Sequence, residues 1–117
     1  MNAVDLTHGE RLRIARRRRG SSQLDAADYY DVTLYRYRKW EDDAEEPPAE
    51  AKPKLGKLRD FEACHVLRVR RGVELQNLAA ALDMTPNWLC EIERGRQPAA
   101  KLVRYWGRAL RTRTKAK

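Results

Sequence analysis

The sequence predicts an all-α protein made of two tandem copies of one small helical unit, joined by a proline-containing acidic linker. Three observations carry this expectation. Gly20 and Gly72, 52 residues apart, each close a basic segment, Arg16-Arg17-Arg18-Arg19-Gly20 and Arg68-Val69-Arg70-Arg71-Gly72. At the same offset, and without a gap, Leu6 meets Leu58, Glu10 meets Glu62, Ala27 meets Ala79, Asp31 meets Asp83, Thr33 meets Thr85 and Glu41 meets Glu93. Finally, helix-starting and helix-stopping residues recur throughout, whereas no segment alternates apolar and polar residues as a half-buried strand would. A long period of this kind means repetition of one supersecondary unit.

The elements follow in order. Thr7-His8-Gly9-Glu10 reads as a capping box, in which the Thr7 hydroxyl and Glu10 carboxylate satisfy backbone N–H groups that a helix start leaves open. The helix runs to about Arg19 and stops at Gly20, which tolerates the left-handed backbone of a helix end. Ser22-Gln23-Leu24-Asp25 opens a second short helix, ending near Tyr30. Thr33 caps a third, Leu34 to about Glu41. The second copy repeats the plan from about Leu58 to Arg71, Leu75 to Leu82 and Pro86 to Arg94, with Pro86 in the first turn, where its missing N–H costs nothing. After Pro98, a further single helix is expected from the spacing of Leu102, Val103, Trp106, Ala109 and Leu110.

Domain boundaries are expected at 1–41, 42–57, 58–110 and 111–117. Residues 42–57 set Asp42, Asp43, Glu45, Glu46 and Glu50 against Lys52, Lys54 and Lys57, and Pro47, Pro48 and Pro53 rule out a long helix. They read as a semi-rigid linker with room for one short turn. Sixteen extended residues at about 3.1 Å each would reach roughly 50 Å. Residues 111–117 read as a disordered basic arm.

Charge points to a polyanionic partner. The 117-residue chain carries a net charge of +8, with 25 basic and 17 acidic residues, which suits nucleic acid first and a membrane surface second. The excess sits mainly in residues 58–117, with thirteen basic and six acidic residues, against nine and six in residues 1–41. No apolar run is long enough to cross a membrane and the start of the chain has no signal-peptide pattern, so a soluble, cytoplasmic, nucleoid-associated protein with reduced cysteines is expected. Cys64, His65 and Cys90 lack the paired spacing of a zinc site. His8 and His65 have no carboxylate or cysteine at ligand spacing. Neither a nucleophile–base constellation nor a phosphate-binding glycine loop is present, so no enzyme activity, metal or cofactor is expected.

Helix, glycine, short helix, tight turn, short helix is the helix-turn-helix plan, whose last helix enters the DNA major groove. Gly72-Val73-Glu74-Leu75-Gln76-Asn77-Leu78-Ala79, continued by Thr85-Pro86-Asn87-Trp88-Leu89-Cys90-Glu91-Ile92-Glu93-Arg94-Gly95-Arg96-Gln97-Pro98, closely resembles the lambda-repressor/Cro-type helix-turn-helix family. The first copy is similar with more drift: Gly20-Ser21-Ser22-Gln23 matches the family's opening, but Asp42-Asp43 replaces the Arg-Gly end. The resemblance covers about residues 6–41 and 58–110. Only the second copy keeps the family's fourth helix.

The resemblance implies roles for particular residues. Arg16 with Glu41, and Arg68 with Glu93, take the positions of a partly buried ion pair that ties the first helix to the end of the third. The alternative is uncoupled surface charge, which recurrence in both copies disfavours. Leu34, Tyr35, Arg38 and Lys39 occupy base-reading positions, and Gln23 the position of a phosphate-gripping glutamine. From helical spacing, Tyr37 and Trp40 turn inward and Arg36 joins Leu34, Tyr35, Arg38 and Lys39 outside. Arginine and lysine there can donate to guanine O6 and N7, and Leu34 or Tyr35 can touch a thymine methyl.

The second reading helix is less suited to DNA. Asn87 could read adenine and Glu91 could accept from cytosine, with Trp88 partly outward, but Glu91 would also face phosphates and Leu75 replaces the phosphate-gripping glutamine. Arg94 and Arg96 are expected backbone contacts. The competing expectation is a homodimer or protein-binding surface anchored by Trp88 and Trp106. The sequence thus predicts a double-stranded-DNA-binding transcriptional regulator, a repressor acting by occupancy, of the kind that by resemblance is common in phages and mobile elements. An antitoxin-like or inhibitor module that docks a protein, and an RNA-binding autoregulator, are the alternatives. Since the linker's reach of roughly 50 Å exceeds the roughly 34 Å between successive major-groove faces, one chain spanning two unlike half-sites is a further expectation.

Overall fold

The computed structural model describes residues 5–111, with no account of the Arg111 side chain. Residues 112–117, most of the expected basic arm, lie outside the described residues. Among the described residues the fold is all-helical, with no strand: α1 (His8–Arg19), α2 (Gln23–Tyr29), α3 (Leu34–Glu41), α4 (Asp60–Arg70), α5 (Leu75–Ala81), α6 (Pro86–Glu93), α7 (Ala100–Tyr105) and α8 (Gly107–Arg111), plus a 3-10 turn at Ala49–Ala51. No helix among them is long and apolar enough to cross a membrane. The chain divides into a first compact unit, Leu6–Gly56, and a second that begins at Lys57 and includes Asp5.

In the first unit, α3 packs on both α1 and α2. The Thr7 hydroxyl accepts from Glu10 N–H at 3.1 Å, and the Glu10 carboxylate accepts from Thr7 N–H at 3.0 Å, closing the capping box. Gly20 ends α1 with φ of 71°. Ser22 and Asp25 make the second box, and Thr33 caps α3 through Arg36 N–H. The core gathers Leu12, Ala26, Ala27, Tyr37, Trp40 and Ala51, with Tyr30 and Val32 packed against it.

Ala51 in that core overturns the linker expectation. It is fully buried, Pro47 is buried beside it in sequence, and the Arg18 guanidinium donates to the Leu55 carbonyl at 2.8 Å. Residues 42–55 therefore fold onto the first unit and do not supply an extended tether of sixteen residues, which removes the premise of the half-site-spanning expectation. Prolines prevented a long helix but not packing. At the 52-residue offset, Ala49–Ala51 falls at Lys101–Val103, inside α7. The 3-10 turn thus stands where the second copy has α7; it delivers the Ala51 methyl group to the first core, whereas α7 delivers Leu102, one position earlier at this offset.

The second unit packs α4 against α6 and α7, α5 against α6, and α7 against α8. Its core comprises Ala63, Cys64, Leu67, Leu78, Ala79, Leu82, Leu89, Ile92, Leu102, Trp106 and Leu110. The start of α4 lies at Asp60, not Leu58. Arg59 N–H donates to the Glu62 carboxylate at 2.9 Å; an arginine offers no acceptor to complete the box from its side. The single helix expected after Pro98 is broken at Trp106 into α7 and α8. Gly107, a poor helix former, follows the break.

The repeat is deepest in the backbone. Each copy takes the left-handed conformation at three equivalent places: Gly20 (φ 71°) and Gly72 (66°), Asp31 (57°) and Asp83 (58°), Asp43 (59°) and Gly95 (81°). Aspartate is among the few residues that adopt this conformation as single positions. At the third place the two copies also exchange partners. In the first, Asp43 accepts from Gly9 N–H at 2.9 Å and from the Thr7 hydroxyl at 2.6 Å. Gly9 itself lies so close to α3 that a Cβ there would sit 2.5 Å from the Glu41 carbonyl oxygen and 2.6 Å from that of Trp40. In the second, Phe61 stands at the place of Gly9 and covers Gly95, where a Cβ would lie 2.5 Å from its ring.

Gly9→Ala is expected to destabilise the first unit by about 1–3 kcal/mol, the usual range for overpacking, because backbone carbonyls cannot rotate aside as a side chain can. Chemical denaturation measures it, and an unchanged midpoint would mean that α1 and the end of α3 are not held at this separation.

Candidate nucleic-acid interface

Each unit is fastened by one buried carboxylate. Glu41 is 1% exposed and Glu93 3%. Arg16 meets Glu41 through two parallel bonds, Nε to Oε2 at 2.6 Å and Nη2 to Oε1 at 3.2 Å. Arg68 meets Glu93 in the same way, at 2.7 Å and 3.1 Å. The planar guanidinium suits this two-pronged grip. Its remaining nitrogen, Nη1, ties down the loop behind the helix: in Arg16 it donates to the Ser21 carbonyl at 3.1 Å, in Arg68 to the Val73 carbonyl at 2.9 Å. One arginine per unit thus links the first helix, the loop into the second, and the end of the third.

The copies differ in what else reaches the carboxylate. Glu41 also accepts from the Tyr37 hydroxyl at 2.5 Å and from Gln23 Nε2 at 3.0 Å, with Arg13 Nε 3.8 Å away. Glu93 instead meets His65 Nδ1 at 2.9 Å. His65, which the sequence left without a carboxylate partner, has one 28 residues away. The missed signal was the repeat itself, since His65 stands at the offset of Arg13, and each faces the buried carboxylate of its own unit. Burial alone would raise the pKa of either glutamate. Hydrogen bonds from Arg16 and Tyr37 at Glu41, and from His65 and Arg68 at Glu93, outweigh it and hold both below the ordinary 4.5. Burial pushes the Cys64 thiol up to about 12, with Asp60 and Glu93 adding to the effect. Cys64 is wholly buried in the core of the second unit.

With Tyr37, Trp40 and Glu41 buried, α3 turns Tyr35, Arg36 and Arg38 outward, while Leu34 and Lys39 are half-buried. Successive residues lie about 100° apart around a helix, so Tyr35, Arg38 and Lys39 share a face and Arg36 lies at its edge, next to Lys39 and far from Arg38. The contacts agree. Lys39 Nζ stands 4.6 Å over the Tyr35 ring, and Arg38 Nε donates to Gln23 Oε1 at 3.3 Å. Arg36 Nε donates to Glu45 at 2.8 Å, and that carboxylate also accepts from the Trp40 indole at 3.3 Å. Arg36, expected among the base-reading residues, is diverted to an acidic partner contributed by the segment that was read as a linker. Gln23, expected to reach a phosphate, has its amide engaged by Glu41 and Arg38.

On α6, Leu89, Ile92 and Glu93 are buried, Pro86, Asn87 and Trp88 are exposed, and Cys90 and Glu91 are half-buried. The helix carries no basic residue. Glu91 accepts from Arg96 at 3.1 Å, so its carboxylate is partly neutralised and Arg96 is turned back to it. Arg94 is exposed just beyond the helix. Trp88 stays 46% exposed, whereas Trp106 is only 5% exposed. Trp106, expected as a second anchor for a partner, belongs instead to the core, with Arg71 stacked over its ring at 5.3 Å.

Glu93→Ala is expected to cost about 3–5 kcal/mol, since it leaves the Arg68 charge without its buried partner; Glu91→Ala, breaking a largely exposed pair, is expected to cost about 0–1 kcal/mol. Thermal denaturation of the two variants compares them, and equal effects would remove the fastening role. Because both buried glutamates have folded pKa values below 4.5, the unfolded chain binds their protons first. Their contribution is complete above the unfolded pKa and is lost as pH falls through the folded values. Acid titration of Glu41→Gln and Glu93→Gln should show a shallower loss of stability below that point than the parent protein; parallel curves would contradict the assignment.

No protein-family model, curated protein or solved structure matches the chain.

Proposed function

We propose that the chain is a sequence-specific double-stranded-DNA-binding protein built of two tandem helix-turn-helix units of the lambda-repressor/Cro type, acting as a transcriptional repressor by occupying its site. The observation that carries this reading is the exposed face of α3, where Arg38 and Lys39 stand beside Tyr35 on a helix locked at its end by the Arg16–Glu41 pair. Neither cation forms an ion pair among the described residues, so both can be offered to a polyanion. A major groove admits one helix, and a helix that is to read bases needs a fixed angle and cations on its outer side. The net charge of +8 adds the attraction to phosphates that supplies most non-specific affinity.

The second unit takes a different part. Its exposed α6 face offers Asn87 and Trp88 but no cation, and Glu91 is spent on Arg96. Several of its exposed cations, Arg94 and Arg104 among them, lie off that helix and suit backbone phosphates. A second reading, in which this unit docks a protein or a second copy, is favoured by the half-exposed Trp88 on an uncharged helix start, an arrangement typical of interface anchors.

Selection of duplexes from a random pool by the full chain, followed by titration at several salt concentrations and competition with a structured RNA, tests the DNA reading. A selected duplex should win over both random duplex and RNA. A base-edge contact is worth about 1–3 kcal/mol, so Arg38→Ala should weaken the selected complex by about tenfold or more and relax preference at one base position. Equal weakening on selected and random duplex would reduce Arg38 to a phosphate contact. No weakening would take α3 out of the groove.

A further inference from the structure

We infer that Gln23 is a positioning residue that aims Arg38, and so sets the base preference at one position of the bound duplex; the inference rests on the DNA reading proposed above. Gln23 opens α2 and stands between the buried ion pair and the exposed face of α3. Its amide nitrogen donates to Glu41 Oε1 at 3.0 Å and its amide oxygen accepts from Arg38 Nε at 3.3 Å. A carboxylate only accepts and a guanidinium only donates, so the amide has one orientation that satisfies both. The result is a continuous relay, Arg16 to Glu41 to Gln23 to Arg38, leading from the bond that holds the helices together to the cation on their outer face.

The grip is on Nε, which leaves both terminal nitrogens of Arg38 available for a two-pronged contact with guanine O6 and N7. A long arginine side chain otherwise samples many rotamers in solvent, and an interaction that narrows them before binding favours one contact geometry over others.

The second copy supplies the internal comparison. Leu75 stands at the place of Gln23 and Cys90 at the place of Arg38. The last two members of the relay are missing together, yet Glu93 keeps the arginine grip and meets His65 instead, and Leu75 packs against the core. An amide at this place is therefore not required by the fold or by the ion pair. Gln23 is explained by what it holds.

A double-mutant cycle on the full chain tests this, using the duplex selected by the parent protein and its single-base variants, with Gln23→Leu, Arg38→Ala and the double variant. Gln23→Leu should melt within a few degrees of the parent, weaken the selected complex by about fivefold or more, and relax preference at the same base position as Arg38→Ala. In the Arg38→Ala background it should change affinity by less than about twofold, since a residue acting through another has nothing left to act on. If the two losses multiply, Gln23 is an independent phosphate contact and the positioning role fails. An unchanged preference in Gln23→Leu has the same consequence. If the parent protein selects no sequence, the DNA reading itself fails, and this inference with it. Should Gln23→Leu not fold, Gln23→Asn, one methylene too short to span Glu41 and Arg38, is read by the same criteria. The Arg38 Nε–H resonance of the DNA-free chain gives a second readout: it should shift in the Gln23 variant, and an unmoved resonance would overturn the relay.

Discussion

Everything in each unit leans on one carboxylate taken out of water. A glutamate at the end of the third helix, Glu41 or Glu93, is nearly inaccessible, and burying a charge is tolerated only where partners surround it. The arginine supplies them by joining three segments at once: its own helix, the carboxylate, and the carbonyl of the loop that starts the next helix. Such small units have little core to fix the angle between helices, and apolar contacts are non-directional. A two-pronged charged bond is directional. The cores of Tyr37 and Trp40, or Leu89 and Ile92, supply cohesion, while the ion pair specifies which arrangement of those helices is kept.

The two copies keep one backbone by different chemical means. Three left-handed positions recur at equal spacing, but the third is aspartate in one copy and glycine in the other. Asp43 can stand there because its carboxylate finds donors in Thr7 and Gly9. Gly9 in turn has no side chain because α3 lies against it. Gly95 leaves the space that the Phe61 ring fills. Glycine and a functional side chain have changed places across one contact, so neither substitution makes sense singly. Asp42-Asp43 has two duties in the first copy: Asp43 accepts from the start of α1 and Asp42 ends α3.

That distinction marks what could be read from the chain and what could not. Capping boxes, glycine stops and the proline of α6 are local, since their partners lie three or four residues away, and these fixed most helix boundaries. The ion pairs are not local, being 25 residues apart in each copy, and were legible only through repetition and resemblance. Of what escaped, three cases show why. Pro47, Pro48 and Pro53 excluded a helix, and the absence of a helix was taken for the absence of packing, although Ala51 is wholly inside the core. Arg36 was placed outward from helical spacing, which gives the direction of a side chain but not its partner, and Glu45 belongs to the segment thought to be a tether. His65 was judged by its sequence neighbours, whereas its carboxylate arrives from α6. In each case the missing information was a contact between segments distant in sequence, which no local pattern encodes.

The divergence of the outer faces follows from the constancy of the inner ones. Once the arginine grip and the left-handed turns maintain the helix arrangement, residues on the outside of the third helix are free of structural duty and can change independently. On α3 they are tyrosine, arginine and lysine; on α6 they are asparagine, tryptophan, cysteine and a glutamate neutralised by Arg96. The side chains around the buried carboxylate have changed in step. Where Arg38 is present outside, Gln23 joins it to Glu41; where Cys90 takes its place, Leu75 turns to the core and His65 completes the carboxylate's hydrogen bonding from the other side. The carboxylate needs its partners satisfied in either case, but only one of the two solutions extends to the surface. A duplicated scaffold can in this way keep one copy wired to its outer face while the other is insulated from it, and the proposed division of labour between a base-reading first unit and a phosphate- or partner-binding second unit is the functional form of that difference.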